Sequence, residues 1–294
     1  MELRKSNRSQ AKIRIALQGS SGSGKTYSSL LLAYGLCKDW RKIAVIDTEN
    51  QSADLYSHLG EYNVLVLSPP FTPERYIQAI EACEKKGMEV VIIDSLSSEW
   101  DGDSGILDIH SKMQGNSFTN WSKLTPRHNS LIQKILHSEA HIIATVRSKQ
   151  DYLITEKNGK QVPERTGLKG VQRDGFEYDF SIVFEININH YASCTKDRTQ
   201  LFPNNQQFII DQSIGEKISQ WCKSSVDPSR ENNVQESKND VKSKILSINT
   251  LEELHQFYKD CPNGVDYLDL FTQQAEKIRK SQIVNPFNFL RNGQ

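Results

Sequence analysis

Residues 13–26 read Ile-Arg-Ile-Ala-Leu-Gln-Gly-Ser-Ser-Gly-Ser-Gly-Lys-Thr, and this stretch decides the fold. Ile13, Ile15 and Leu17 alternate with Arg14, Ala16 and Gln18, the period of a strand. Gly19 to Thr26 then matches G-x-x-x-x-G-K-[ST] at every fixed position. Beyond it Leu30, Leu31, Ala33, Tyr34 and Cys37 recur at the spacing of one helix face. Strand, glycine-rich turn and helix in that order make an anion nest. With no Cβ at Gly19, Gly22 and Gly24, a phosphate chain can lie against the backbone. The N–H groups of residues 22–26 converge on it at the positive end of the helix. Gly19, Ser20, Ser21, Gly22, Ser23, Gly24, Lys25, Thr26 and Tyr27 are therefore the expected nucleotide-binding residues. Lys25 should reach the β- and γ-phosphates of ATP, and Thr26 should place its hydroxyl on Mg²⁺.

Working outward, 294 residues suffice for one large α/β domain, or for a domain of ~220 residues with a small appendage. Lys+Arg and Asp+Glu both number 36, so the molecule as a whole exerts no net pull on DNA and any nucleic-acid site must be a local patch. The five cysteines, Cys37, Cys83, Cys194, Cys222 and Cys261, form no C-x-x-C pair and read as reduced thiols of a cytoplasmic protein. Met1–Arg8 is too polar for a signal peptide, and no apolar run approaches the ~20 residues of a membrane span. His110, His128, His137 and His141 show no metal-ligand spacing and read as helix and strand-edge residues.

Further strands are expected at 42–48, 63–68, 89–94 and 141–146, with helices at 73–86 and 126–137 between them. Pro73 behind Thr72 is a helix-start signal, and Pro69-Pro70 ends the strand before it. Alternating strands and helices imply a mostly parallel sheet covered on both faces. The stretch 101–120, rich in Gly, Asp, Ser and Asn, reads as a loop with a short helix. After Val146 the pattern changes: Asn158-Gly159 signals a hairpin, and 180–188, 190–195 and 207–210 read as late antiparallel strands at the far side of the sheet. A helix over 213–222 closes a domain spanning 1–223. Residues 224–240 lack an apolar face and read as a linker, and 241–294 as a small helical region. Trp100 and Trp121 suit either the core or a subunit interface.

Val90-Val-Ile-Ile-Asp94 is an apolar strand ending in Asp, which at the carboxyl edge of a parallel sheet can hold Mg²⁺. Hydrolysis also needs a base to orient water. Ile46-Asp-Thr-Glu49 ends the second strand, expected beside the nucleotide strand, and makes Glu49 the first candidate; Glu99 is the second.

The succession of Gly19–Thr26, Ile-Asp-Thr-Glu49, Ile-Ile-Asp94-Ser95 and Thr145-Val-Arg147-Ser-Lys149 resembles RecA-like ATPases. Together with Trp121–His128, Gly167–Asp179 and Thr195–Thr199, it is similar to phage and prophage AAA-domain ATPases that include the Sak-group single-strand annealing proteins. The resemblance covers roughly residues 10–222. It implies a RecA-like P-loop NTPase core, an α/β fold with late antiparallel hairpins, and a small C-terminal helical appendage. It implies Glu49 as catalytic carboxylate and Arg147, with Gln150 behind it, as sensor of the γ-phosphate. Lys196 and Arg198 would reach a neighbouring subunit's nucleotide, so a homo-oligomer, ring or filament, is implied.

The resemblance also places a DNA-binding loop at 147–173, where seven cations face three acids. Lys149, Lys157, Lys160, Arg165, Lys169 and Arg173 are the expected phosphate contacts, and Tyr152 could stack a base. The expected activity is a Mg²⁺-dependent, DNA-stimulated ATPase acting on single-stranded DNA in phage-type recombination. A single-strand-binding protein is a possible partner of the tail. A ring-shaped DNA motor or helicase loader, a nucleotide-gated scaffold without turnover, and a small-molecule kinase are the alternatives.

Overall fold

The computed structural model describes residues 11–157, 160–203, 206–224, 242–260 and 267–283, and their side chains except at 150–168, 260 and 280–283. Strand β1 (Arg14–Gly19) runs into the P-loop and helix α1 (Lys25–Cys37). Then come β2 (Ile43–Asp47), β3 (Asn63–Val66), α2 (Pro73–Lys85) and β4 (Val90–Asp94). Three helices follow, α3 (Ser97–Asp101), α4 (Ile106–Lys112) and α5 (Ser117–His137). Strands β5 (His141–Lys157), β6 (Lys160–Gly170), β7 (Ile182–Ile186), β8 (Tyr191–Asp197) and β9 (Gln207–Ile209) lead to α6 (Gln212–Lys223).

The sheet order is β3-β2-β4-β5-β1-β7-β8-β9, with β6 paired to β5 alone. Strands β3, β2, β4, β5, β1 and β7 are parallel; β8 and β9 continue antiparallel. This is an α/β architecture, a mostly parallel sheet with a glycine-rich loop between its first strand and first helix.

The apolar strands are buried on both faces, and their period of two divides them between two cores. Ile15, Leu17, Ile43, Val45, Ile92 and Phe184 face Leu30, Ala33 and Leu36 of α1 and Ile218 of α6. Ala16, Ile46, Val91, Ile93 and Ala144 face Tyr76 and Ile80 of α2 and Leu131 and Ile135 of α5. Helices α1 and α6 meet backbone to backbone: a Cβ on Gly35 would lie 2.2 Å from the Gln212 carbonyl oxygen.

Several expectations change. Strand β2 does not lie beside β1, because β4 and β5 separate them. Strand β7 joins the parallel set instead of the late antiparallel one, and β8 starts at Tyr191 and runs to Asp197. The loop expected before residue 120 is mostly helical, and α5 begins at Ser117, carrying Pro126 inside it. Asn116 caps α5 by accepting from the Phe118 N–H at 2.8 Å, and Trp121 and Leu124 give its first turns an inner face. Arg14 does not alternate out to solvent. It is 4% exposed and donates to the carbonyls of Ala140 (2.9 Å), Leu136 (3.0 Å) and Ser138 (2.6 Å), capping the end of α5.

Contacts divide the chain into two compact units, Met1–Ser225 and Val226–Gln294. In the second, α7 (residues 242–247), α8 (Leu251–Asp260) and α9 (Leu268–Ile283) enclose Ile245, Leu254, Phe271 and Ile278. The expected linker lies, from residue 225 onward, outside the described residues.

Candidate active site

Gly24 precedes α1 with φ of 90°, a left-handed conformation that turns the chain from the loop into the helix. Gly19 is needed for close approach, since a Cβ there would lie 2.5 Å from the Ile186 carbonyl oxygen of β7. The Lys25 ammonium is turned onto the loop, donating to the carbonyls of Gly19 (3.0 Å) and Ser20 (2.8 Å). Burial lowers its pKa, while Asp94 and Glu49 oppose that shift.

Thr26 Oγ1 donates to Asp94 Oδ2 at 2.6 Å, and Thr145 of β5 donates to the other oxygen of Asp94. Asp94 is 2% exposed, and burial pushes its carboxyl up, with Glu49 and Asp47 adding like charge. A hydroxyl and a carboxylate side by side are hard oxygen donors suited to Mg²⁺. Among the described residues no group of three or more His, Cys, Asp or Glu could hold a metal. Asp47 plays a different part: it accepts from the N–H groups of Glu49 (2.7 Å) and Ala53 (2.8 Å) and shapes the turn after β2.

That turn presents Glu49, whose Oε1 accepts from Ser95 Oγ at 3.0 Å. Arg147 lies level with Gly19 in the β1–β5 register, within the long β5 and not beyond its end. Its Nη2 donates to Asp101 at 2.8 Å, while its buried Nε makes no hydrogen bond and stands 3.9 Å from Glu49 Oε1.

Lys25, Thr26, Asp94, Glu49 and Arg147 line one cleft of about 800 Å³. Its other end is walled by Tyr27, Leu31, Tyr56, Ile209, Ile210 and Asp211, with the Tyr27 and Tyr56 rings 5.7 Å apart. Asn189 and His190 close the side, and His190 Nδ1 lies 2.9 Å from the Ser23 carbonyl oxygen. Sequence reasoning missed Tyr56, His190 and the 209–211 wall. They reach the cleft only through the turn after β2, the β7–β8 turn and the β9–α6 junction, none of which carries a motif.

The chain belongs to the AAA domain family. The match of the AAA domain model covers residues 11–217, the P-loop, β4 and the β7–β9 strands included. None of the curated proteins matches this AAA domain. Among the solved structures similar to it is that of a KaiC-like protein from the hyperthermophilic archaeon Pyrococcus horikoshii. It is 15% identical, covering 68% of this chain and 86% of that one with a TM-score of 0.37.

Other expected residues lie elsewhere. Glu99 is buried away from the cleft, accepting from His128 Nδ1 at 3.0 Å and Gln172 Nε2 at 3.2 Å. Lys196 donates to the carbonyls of Glu177 (2.6 Å) and Tyr178 (2.8 Å), and Arg198 to that of Tyr178 (2.9 Å). Strand register puts Lys196 opposite Val183, which is level with Ala16. That is about 10 Å back from Gly19 along the strands, so neither cation serves its own chain's cleft. Lys149, Lys169 and Arg173 line a separate cleft. For Lys157, Lys160 and Arg165, as for Gln150 and Tyr152, the expectation concerns side chains outside the described residues. Among the described residues no helix is long and apolar enough to cross a membrane.

Proposed function

We propose that this AAA domain binds ATP with Mg²⁺ and hydrolyses it while annealing or pairing single-stranded DNA in phage-type recombination in the bacterial cytoplasm. The observation carrying the ATPase reading is the gathering of Lys25, Thr26, Asp94, Glu49 and Arg147 around one cleft, from the start of α1, the end of β4, the turn after β2 and the middle of β5. The residues fit a metal–triphosphate: paired hard oxygens at Thr26 and Asp94, an ammonium, and a guanidinium whose buried Nε lacks an acceptor. Mg²⁺ supplies charge neutralisation of the β- and γ-phosphates there.

The chain's own groups then divide the work. Lys25 leaves the loop carbonyls for the phosphates. Glu49, held by Ser95 Oγ, accepts a proton from the attacking water as its oxygen bonds the γ-phosphorus and the bond to ADP breaks. Arg147 stands beside Glu49 to sense the γ-phosphate. Lys196 and Arg198 serve the nucleotide of an adjacent protomer in a homo-oligomer. Their distance from their own P-loop supports this, as does the ease with which carbonyl-bound cations can change partners.

The DNA part rests on the excess of cations in 147–173 and on the β5–β6 hairpin that carries them. A single-strand-binding protein is the proposed partner of the helical tail. The test is phosphate release with and without single-stranded DNA, for wild type and Lys25→Ala. Stimulated release that the variant abolishes is the expected result; no uptake of radiolabelled ATP by wild type with magnesium would refute the reading.

A further inference from the structure

Away from the nucleotide, a second cleft of about 570 Å³ opens between α3, α4 and α5 on one side and the base of the β5–β6 hairpin on the other. Its first wall carries Trp100 and Trp121, rings 5.9 Å apart and inclined by only 23°. Trp121 is stacked in turn on His110 at 4.4 Å, and the Trp100 ring meets the edge of His128 at 5.6 Å. His128 is itself fixed by buried Glu99. Two of the chain's four tryptophans are thus held rigidly at the edge of a solvent-open hollow.

The facing wall carries Lys149, Lys169 and Arg173. Lys149 and Lys169 are directly opposed across the antiparallel β5–β6 pair. Asp174 takes up Lys169 at 2.7 Å, but Asp174 is 81% exposed and its hold is correspondingly weak. Asp101, the other carboxylate of the cleft, is already held by Arg147.

Two indole rings, inclined by 23°, in a cleft that also carries three cations suit a ligand with flat, exposed π-faces joined by phosphates. Duplex DNA hides its base faces in its own stack, whereas a single strand offers them. We infer that the Trp100–Trp121 cleft is a base-stacking site for single-stranded DNA, with Lys149, Lys169 and Arg173 holding the flanking phosphates. This rests on the proposed action on single strands and names where, and by which aromatic groups, the strand is gripped.

The test uses the full chain and a labelled oligo(dT) of ~20 nucleotides, read by anisotropy and by tryptophan fluorescence. Wild type is expected to bind with quenching. Trp121→Leu should weaken binding about tenfold or more while leaving the salt slope alone. Trp121→Phe, which keeps a ring, should retain most affinity but lose much of the quench. Lys149→Ala with Lys169→Ala, on exposed side chains whose loss cannot unfold the core, should flatten the salt slope by about 1.4. Duplex DNA of equal length and free dTMP should quench far less. Binding of oligo(dT) that both sets of variants leave untouched would overturn this cleft and spare the proposed function. Failure of wild type to bind oligo(dT) would sink both, and equal quenching by dTMP or duplex would overturn the assignment to single strands.

Discussion

Replacing Asp94 by Asn should make the metal-free protein more stable and the nucleotide-loaded protein less so. Asp94 is 2% exposed and takes hydroxyl hydrogen bonds from Thr26 and Thr145. Burial first, and then the nearby carboxylates Glu49 and Asp47, hold its carboxyl above the usual carboxylate range. Asparagine keeps the shape, accepts from one threonine and donates to the hydroxyl oxygen of the other. What is lost is the charge assistance of two hydrogen bonds, about 1 kcal/mol each. What is removed is the desolvation of an ion, which costs several kcal/mol. The balance favours metal-free Asp94→Asn by about 1–2 kcal/mol, which for a unit of this size raises the melting temperature by about 3–6 °C.

The sign of the pH dependence follows. A carboxyl whose folded pKa is raised contributes stability that is fully present below its unfolded value and lost as pH rises through its folded value. Wild type should therefore fall behind Asp94→Asn as pH climbs through and above the carboxylate range, with no such slope in the variant. Mg²⁺–ATP at 100 times its Kd stabilises wild type by about 2.7 kcal/mol, and the variant, lacking the anion for the metal, by much less. The order of melting temperatures should invert on adding the ligand. Thermal melting of both proteins at acid and neutral pH, with and without Mg²⁺–ATP, reads all eight values. A metal-free variant that melts below wild type at neutral pH, or that gains as much from Mg²⁺–ATP, would refute the reasoning.

Glu49→Gln should keep ATP affinity within a few-fold and lower turnover by roughly 10²–10⁴-fold, since a neutral amide cannot take the water's proton; burst-free single-turnover kinetics would check it. Arg198→Ala should abolish steady-state hydrolysis with little change in nucleotide affinity, and mixing it with Lys25→Ala should restore turnover if the cation acts across a subunit boundary. Gly35→Ala drives a Cβ to 2.2 Å from the Gln212 carbonyl, so the α1–α6 contact must open, at about 1–3 kcal/mol of stability read by denaturant titration. Arg127 holds the Glu74 carboxyl down to about 2. A lowered carboxylate pKa gives stability present above the ordinary value and lost as pH falls toward 2. Because the pair is partly exposed, Arg127→Ala should cost only about 0.5–1 kcal/mol at neutral pH, vanishing in strong acid.

Legibility differed by element. The P-loop and the end of β4 could be read because phosphate and Mg²⁺ chemistry demands given residue types at a given spacing. The helix start at Ser117 was obscured by Pro126, whose local cost is outweighed by packing of Trp121 and Leu124 along the whole helix. Strand β7 hid its direction, because nothing in Ile182–Ile186 says whether β1 will lie parallel to it.

By itself the sequence determined a strand, turn and helix able to cradle phosphate, an acid at the end of a buried strand, and an AAA domain that holds both. These are local: each depends on residues within a turn or two of one another. Only the tertiary structure decided which distant groups share a site. Arg147 comes level with Gly19 because β5 inserts between β1 and β4, Glu99 is withdrawn to His128, and Trp100 and Trp121 meet at the foot of the hairpin. Strand order and helix packing set those encounters, and they arise from burying two apolar faces of one sheet, a property of the whole chain that no short stretch encodes.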